Sequence, residues 1–134
     1  MPRTGALLLL SREHHSSLVI ARAARQAAES GDSTAFPAMV QRIKEHWQTV
    51  LCEHFVQEEQ LLRLAADTVD AESINRILTE HSELRLLACG PCELDVPARL
   101  RRFGELLAAH VRYEERVLFP QLQSHVSVGQ SLAN

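Results

Sequence analysis

Two His-x-x-x-Glu pairs, His54 with Glu58 and His110 with Glu114, are the residues in this chain best suited to chemistry. Residues four apart on a helix lie one above the other on a single face. In both places that face is the apolar one. Steps of three and four around the first pair meet Val40, Ile43, Trp47, Val50 or Leu51, and then Leu61 and Ala65. The second pair sits in a seam of Leu100, Phe103 and Leu107, followed by Val117 or Leu118. A carboxylate buried without a partner costs several kcal/mol. Two such pairs call for a shared counter-charge, and a metal ion is the simplest one. Imidazole and carboxylate ligands suit iron, zinc or manganese.

The elements that must position these residues are helices. Leu7 to Ser30 reads as the first, with Leu7, Leu10, His14, Leu18, Ala21, Ala24 and Ala28 on one face and Gly31 and Asp32 ending it. Asp32 or Ser33 is the expected cap of a second helix, which runs from about Phe36 to about Ala66 with Pro37 in its first turn. Asp70 caps a third helix through Leu87, with Ile74, Ile77 or Leu78, His81, Leu84 or Arg85, and Ala88 facing inward. After a loop from Cys89 to Leu94, Asp95 and Pro97 start a fourth helix that carries to Phe119, where Pro120 ends or kinks it. Ser124 to Asn134 reads as a polar tail. No alternating strand pattern and no repeat of about 20 to 50 residues is visible.

Four amphipathic helices on short connections imply an all-α, antiparallel up-down four-helix bundle. In such a bundle the turns set the register. His14 lies 17 residues before Gly31 and His54 lies 23 after it, while His54 and His81 flank Asp67 by 13 and 14. His81 lies 9 before Gly90 and His110 lies 20 after it. At about 1.5 Å per residue, all four histidines reach a common height to within about two helical turns.

At 134 residues the chain is read as one domain, with a helical core over about 5–123. A hydrophobic fraction of 46%, a charged fraction of 23% and a net charge of −3 fit an ordinary globular protein and give no electrostatic footprint for nucleic acid or an anionic membrane. The apolar run Ala6 to Leu10 is too short for a signal-peptide core, and no segment reaches the length of a membrane span. With three cysteines, the expected setting is cytoplasmic and reducing.

The segments LSREHHSSL, EHFVQEE, EHSELRLL and HVRYEERVLFP, in that order, resemble the hemerythrin family, more closely its branch of hemerythrin-like cation-binding domains. The resemblance covers nearly the whole chain. It implies a non-haem iron centre, usually two irons bridged by carboxylates, with one Fe or another divalent metal as variants. It also implies the metal set His14, His54, Glu58, His81, His110 and Glu114, with Glu58 and Glu114 bridging. The Glu-x-x-His pairs of ferritin-like proteins are absent, since Leu51 and Leu107 stand three residues before His54 and His110. One departure is Arg85, at the position where oxygen-carrying hemerythrins have a second third-helix histidine.

Several neighbours carry alternative readings. His15 is an alternative to His14, though it points about 100° away around the helix. Glu59 and Glu115 read as solvated groups or as supports for the ligands, and Glu115 as a substitute for Glu114 in a distorted helix. His46 is eight residues before His54, about 12 Å along the axis and too far to share its metal. His125 is expected to be exposed. Trp47, Phe55, Phe103 and Phe119 read as core. Cys89-Gly-Pro-Cys92 matches the thioredoxin motif, but it follows a helix with no βαβ pattern around it and reads as a loop. Three functions compete: a module that binds or senses dioxygen or nitric oxide, which is favoured; an oxidoreductase acting on dioxygen or peroxide; and a bundle without metal. Homodimerisation is left open.

Overall fold

The computed structural model describes residues 5–125. Apolar residues recur at steps of three and four throughout this span, so burying them on one side of each segment requires helices that pack against one another. Helix α1 is Gly5–Ser30. Helix α2 is a continuous run of Phe36–His46, a π turn Trp47–Leu51, and Cys52–Leu64. Helix α3 is Ala71–Cys89. Helix α4 runs through Val96–Tyr113, a π turn Glu114–Leu118, and Phe119–Ser124. They form a four-helix bundle in which each helix packs against the next and α1 closes the ring by lying along α4. There is no strand among the described residues, and no helix among them is long and apolar enough to cross a membrane.

Local chemistry accounts for most of the ends. Gly31 ends α1 in the left-handed region at φ 67°, where a side chain would be strained. Asp70 and Asp95 cap α3 and α4, their carboxylates accepting from the backbone N–H of Ser73 at 2.8 Å and of Ala98 at 2.9 Å. The expected cap of α2 is not found. Ala35 holds that position without a side-chain bond, and Asp32 instead folds the preceding turn by accepting from Thr34 N–H at 3.0 Å and Thr34 Oγ1 at 2.6 Å. Nor does Pro120 end α4. The π turn just before it widens the backbone, so that Phe119 N–H reaches back to the Glu114 carbonyl, and the helix continues to Ser124.

The core falls into two apolar clusters. One gathers Ala21, Ala24, Ile43, Phe55, Leu84, Leu100, Phe103 and Leu107 with their neighbours. The other gathers Leu7, Leu10, Leu61, Ile77, Leu118, Phe119 and Leu122. Along every helix the ligand-type residues stand at the junction of these clusters, so the site is a polar layer between two apolar plugs. The first seam needs one correction. Ser17 is buried where Leu18 was expected, and Leu18 is exposed, because the inward stripe advances from His14 by three residues. Residues 126–134, most of the expected tail, lie outside the described residues.

Candidate metal centre

All six expected residues meet in that layer. His14, His54, Glu58, His81, His110 and Glu114 are each at most 4% exposed. Their ligand atoms form two groups, His14 with His54, Glu58 and Glu114, and His81 with His110 and the same two glutamates, and within each group the atoms lie within 4.8 Å of one another. His54 Nε2 is 3.0 Å from Glu58 Oε2 and His81 Nε2 is 3.0 Å from Glu58 Oε1. His14 and His110 stand likewise to Glu114 Oε1, at 2.9 and 3.2 Å. Each glutamate thus faces one histidine from each group.

Whether these residues fit a metal can be judged from the polar atoms left over. Glu58 Oε2, Glu114 Oε2 and His110 Nε2 are buried without a hydrogen-bond partner. For Glu58 Oε2 the His54 contact has ion-pair distance without hydrogen-bond alignment. A buried unpaired carboxylate oxygen is costly, and two of them converging on one layer with an unpaired imidazole nitrogen match the donor set of a cation. Two imidazoles and two shared carboxylates per group are the ligand types of iron, zinc or manganese.

A second ring of carboxylates surrounds the first. The Nδ1 atoms of His14, His54, His81 and His110 are held by Glu115 at 2.6 Å, Glu13 at 3.1 Å, Glu59 at 2.9 Å and Glu80 at 2.8 Å. Each contact crosses to a neighbouring helix. A carboxylate accepting from Nδ1–H leaves the Nε2 lone pair directed inward, which is the tautomer a metal needs. Ser11 Oγ donates to Glu115 at 2.8 Å, and Arg76 Nε donates to Glu80 at 3.2 Å, fixing two of these supports in turn. Glu59 and Glu115 therefore act as supports for the histidines rather than as solvated groups. Glu13 and Glu80 have no place in the sequence reading. The signal that marks them is a doubling: Glu-His opens both halves, at 13–14 and 80–81, and His-x-x-x-Glu-Glu closes both, at 54–59 and 110–115.

The electrostatics follow from the burial. Burial opposes charge on His14, but hydrogen bonds to Glu114 and Glu115, with the Glu58 carboxylate 3.8 Å away, outweigh it and push the pKa up to about 11. For His110 burial again opposes, and the charge of Glu114 prevails, giving about 10. His54 is raised against burial by Glu58, and Glu58 is held well below the usual carboxylate range, against burial, by His54. Without a cation, protons on the imidazoles balance the carboxylates.

The remaining candidates separate cleanly. His15 is exposed, which settles the inward position in favour of His14. His46 is buried but belongs to neither group. It pairs with Ser17 Oγ at 3.0 Å, and its pKa is lowered to about 4 by burial and then by the charges of His54 and Arg42. His125 is not exposed as expected but half-buried, with Nε2 3.0 Å from Asp67 Oδ1 at the turn between α2 and α3. Phe55 and Phe119 lie nearly parallel to the rings of His81 and His14, at centroid distances of 3.8 and 5.2 Å. Phe103 is fully buried, and Trp47 is only half-buried. Cys52, Cys89 and Cys92 are free thiols, and Cys89 is the last residue of α3 rather than part of the loop.

Fold and site together define a four-helix bundle with a buried histidine–glutamate layer able to hold metal cations. The sequence profile of the hemerythrin HHE cation-binding domain matches residues 7–122, and the chain belongs to that family. No curated protein and no solved structure matches it significantly.

Proposed function

We propose that this domain holds two iron ions, one in each of the two residue groups with Glu58 and Glu114 bridging, and binds or senses a small molecule such as dioxygen or nitric oxide reversibly. The observation that supports this best is the pair of buried four-residue groups sharing both glutamates. Membership of a cation-binding family agrees with it. When bound, iron supplies reversible ligation of a diatomic molecule and electron exchange with it. The rest falls to the chain. The outer glutamates keep the four Nδ1 protons in place and aim the Nε2 atoms inward. The apolar clusters on either side exclude water, which strengthens every charge interaction inside the layer. Phe55 and Phe119 hold the rings of His81 and His14 in plane. A reducing, cytoplasmic setting belongs to the same reading, supported by three free thiols.

Elemental analysis tests the metal, and an absorption spectrum after anaerobic ferrous loading and admission of air tests the ligand. About two irons per chain, as in other carboxylate-bridged bundles, with a near-ultraviolet band that appears in air, is the expected result. Failure to take up iron, or uptake without any spectral response to air or nitric oxide, would overturn the proposal.

A further inference from the structure

One pocket reaches the layer from the side. It lies between α2 and α3 with a volume of about 370 Å³, and its lining includes Trp47, Phe55, Glu59, His81 and Arg85. That volume is at the low end for ligand sites, about 300–1,000 Å³. Four further pockets among the described residues include none of the six inner residues. Its apolar lining is built on an aromatic stack, with Phe55 flat against His81 at 3.8 Å and Trp47 edge-on to Phe55 at 5.5 Å.

The charge in this pocket is unevenly used. Glu59, its one acid, is engaged by His81 Nδ1 at 2.9 Å. Arg85 stands one helical turn beyond His81, with His81, Ser82, Ala88 and Cys89 as its neighbours three and four residues away, none of them a carboxylate. Its guanidinium forms no ion pair among the described residues, whereas Arg76 and Arg102 are paired with Glu80 and Glu83. Arg85 is exposed and also borders the neighbouring pocket at Cys89, Gly90 and Pro91, and its planar guanidinium fork is suited to two oxygens on one centre.

We propose that this pocket binds a small monoanion carrying two oxygens on one atom, a carboxylate or nitrite, through Arg85, and so holds it beside the His81 half of the centre. The reason for bringing an anion there rests on the proposed iron site. The binding itself does not.

Trp47 is the only tryptophan in the chain and lines the pocket, so its indole N–H signal reports on the site directly. Sodium formate and sodium nitrite are titrated, against sodium chloride at matched ionic strength, into metal-free and zinc-loaded protein. The expected result is a saturable shift of that signal in the millimolar range with formate and nitrite but not with chloride. Binding should weaken at least fivefold in Arg85→Gln, less in Arg85→Lys, and not at all in Arg101→Gln, which lies in a different pocket. A linear response, or the same response in Arg85→Gln, would mean a solvated surface arginine and overturn the inference. Zinc stoichiometry on the same samples separates the two readings. Normal metal uptake without saturable formate binding removes the anion site alone. Formate binding to protein that takes up neither zinc nor ferrous iron leaves the pocket standing and removes the iron centre.

Discussion

A neutral imidazole offers its Nε2 lone pair to a metal when its proton sits on Nδ1, so the outer glutamates that accept from Nδ1 are as much a part of this site as the inner ones. Among them Glu80 is the most enclosed, its side chain 14% exposed against 37% for Glu59, and it is the one braced by an arginine. Glu80→Ala should therefore lower metal affinity by about 10–100-fold, the range for lost supports of this kind, with the helix content unchanged. Competition against a chromophoric chelator measures it, and wild-type affinity in that variant would sink the role. Glu58→Ala should do more. Glu58 belongs to both groups, so by elemental analysis its loss should abolish metal uptake, whereas His81→Ala, which touches one group, should leave the uptake of the other intact if the proposed two-ion centre holds. The inner six were legible because a helix repeats every 3.6 residues and each falls in an apolar stripe. Glu13 and Glu80 were not. Each lies about 100° around the helix from its histidine, on the flank where a glutamate ordinarily meets water, and its partner is on another helix.

The two π turns account for part of the ambiguity in the inward stripes. An extra residue in a turn blurs the helical period, and two of the four alternative inward positions, Val50 or Leu51 and Val117 or Leu118, fall inside these turns. Leu51 and Leu118 are the buried members. The other two, Ile77 or Leu78 and Leu84 or Arg85, lie in regular helix, where Ile77 and Leu84 are the buried members. The expectation that Pro120 could end the helix fails because of a π turn: a proline in a regular helix loses a bond and meets a carbonyl, and the wider turn before it removes that conflict. By contrast Gly31, Asp70 and Asp95 act through their own side chains or backbone freedom, and so could be read directly. Close helix packing left no such mark. A Cβ added at Gly104 would stand 2.6 Å from the Ala21 carbonyl oxygen and 2.6 Å from Arg25 Cγ, and the first of these is backbone that can yield only by moving α1. Gly104→Ala should thus destabilise the protein by about 1–3 kcal/mol, the usual range for overpacking, despite alanine's better helix propensity. A thermal melt of the metal-free protein checks it, and a melting point at or above wild type would show that α1 and α4 separate freely.

For the molecule as a whole, protons and cations compete for one buried layer, and the competition has a definite sign. In the metal-free fold the pKa values of His14 and His110 rise from 6.5 to about 11 and about 10. Groups raised on folding stabilise the native state fully below their unfolded value, and that contribution drains away as pH climbs through the folded one. The metal-free protein should therefore melt progressively lower between about pH 6.5 and pH 10. Two groups act oppositely on the acid side. Glu58, held below its usual range, contributes stability that is lost as pH falls, and His46, lowered to about 4, adds a growing cost below about pH 6.5 because the unfolded imidazole takes up a proton that the buried one refuses. Stability without metal should peak near neutrality. Metal reverses the alkaline limb, because the ligands must be neutral imidazoles and each ion bound expels the protons that stood in for it. Apparent affinity must then rise with pH over the same window in which the empty fold weakens. A ligand at 100 times its dissociation constant adds about 2.7 kcal/mol to stability, so the gap in melting temperature between zinc-loaded and metal-free protein should widen steadily from about pH 6.5 to about pH 9. A gap of constant size across that range would mean that the bound ion displaces no protons, and that the histidines of this layer are not its ligands.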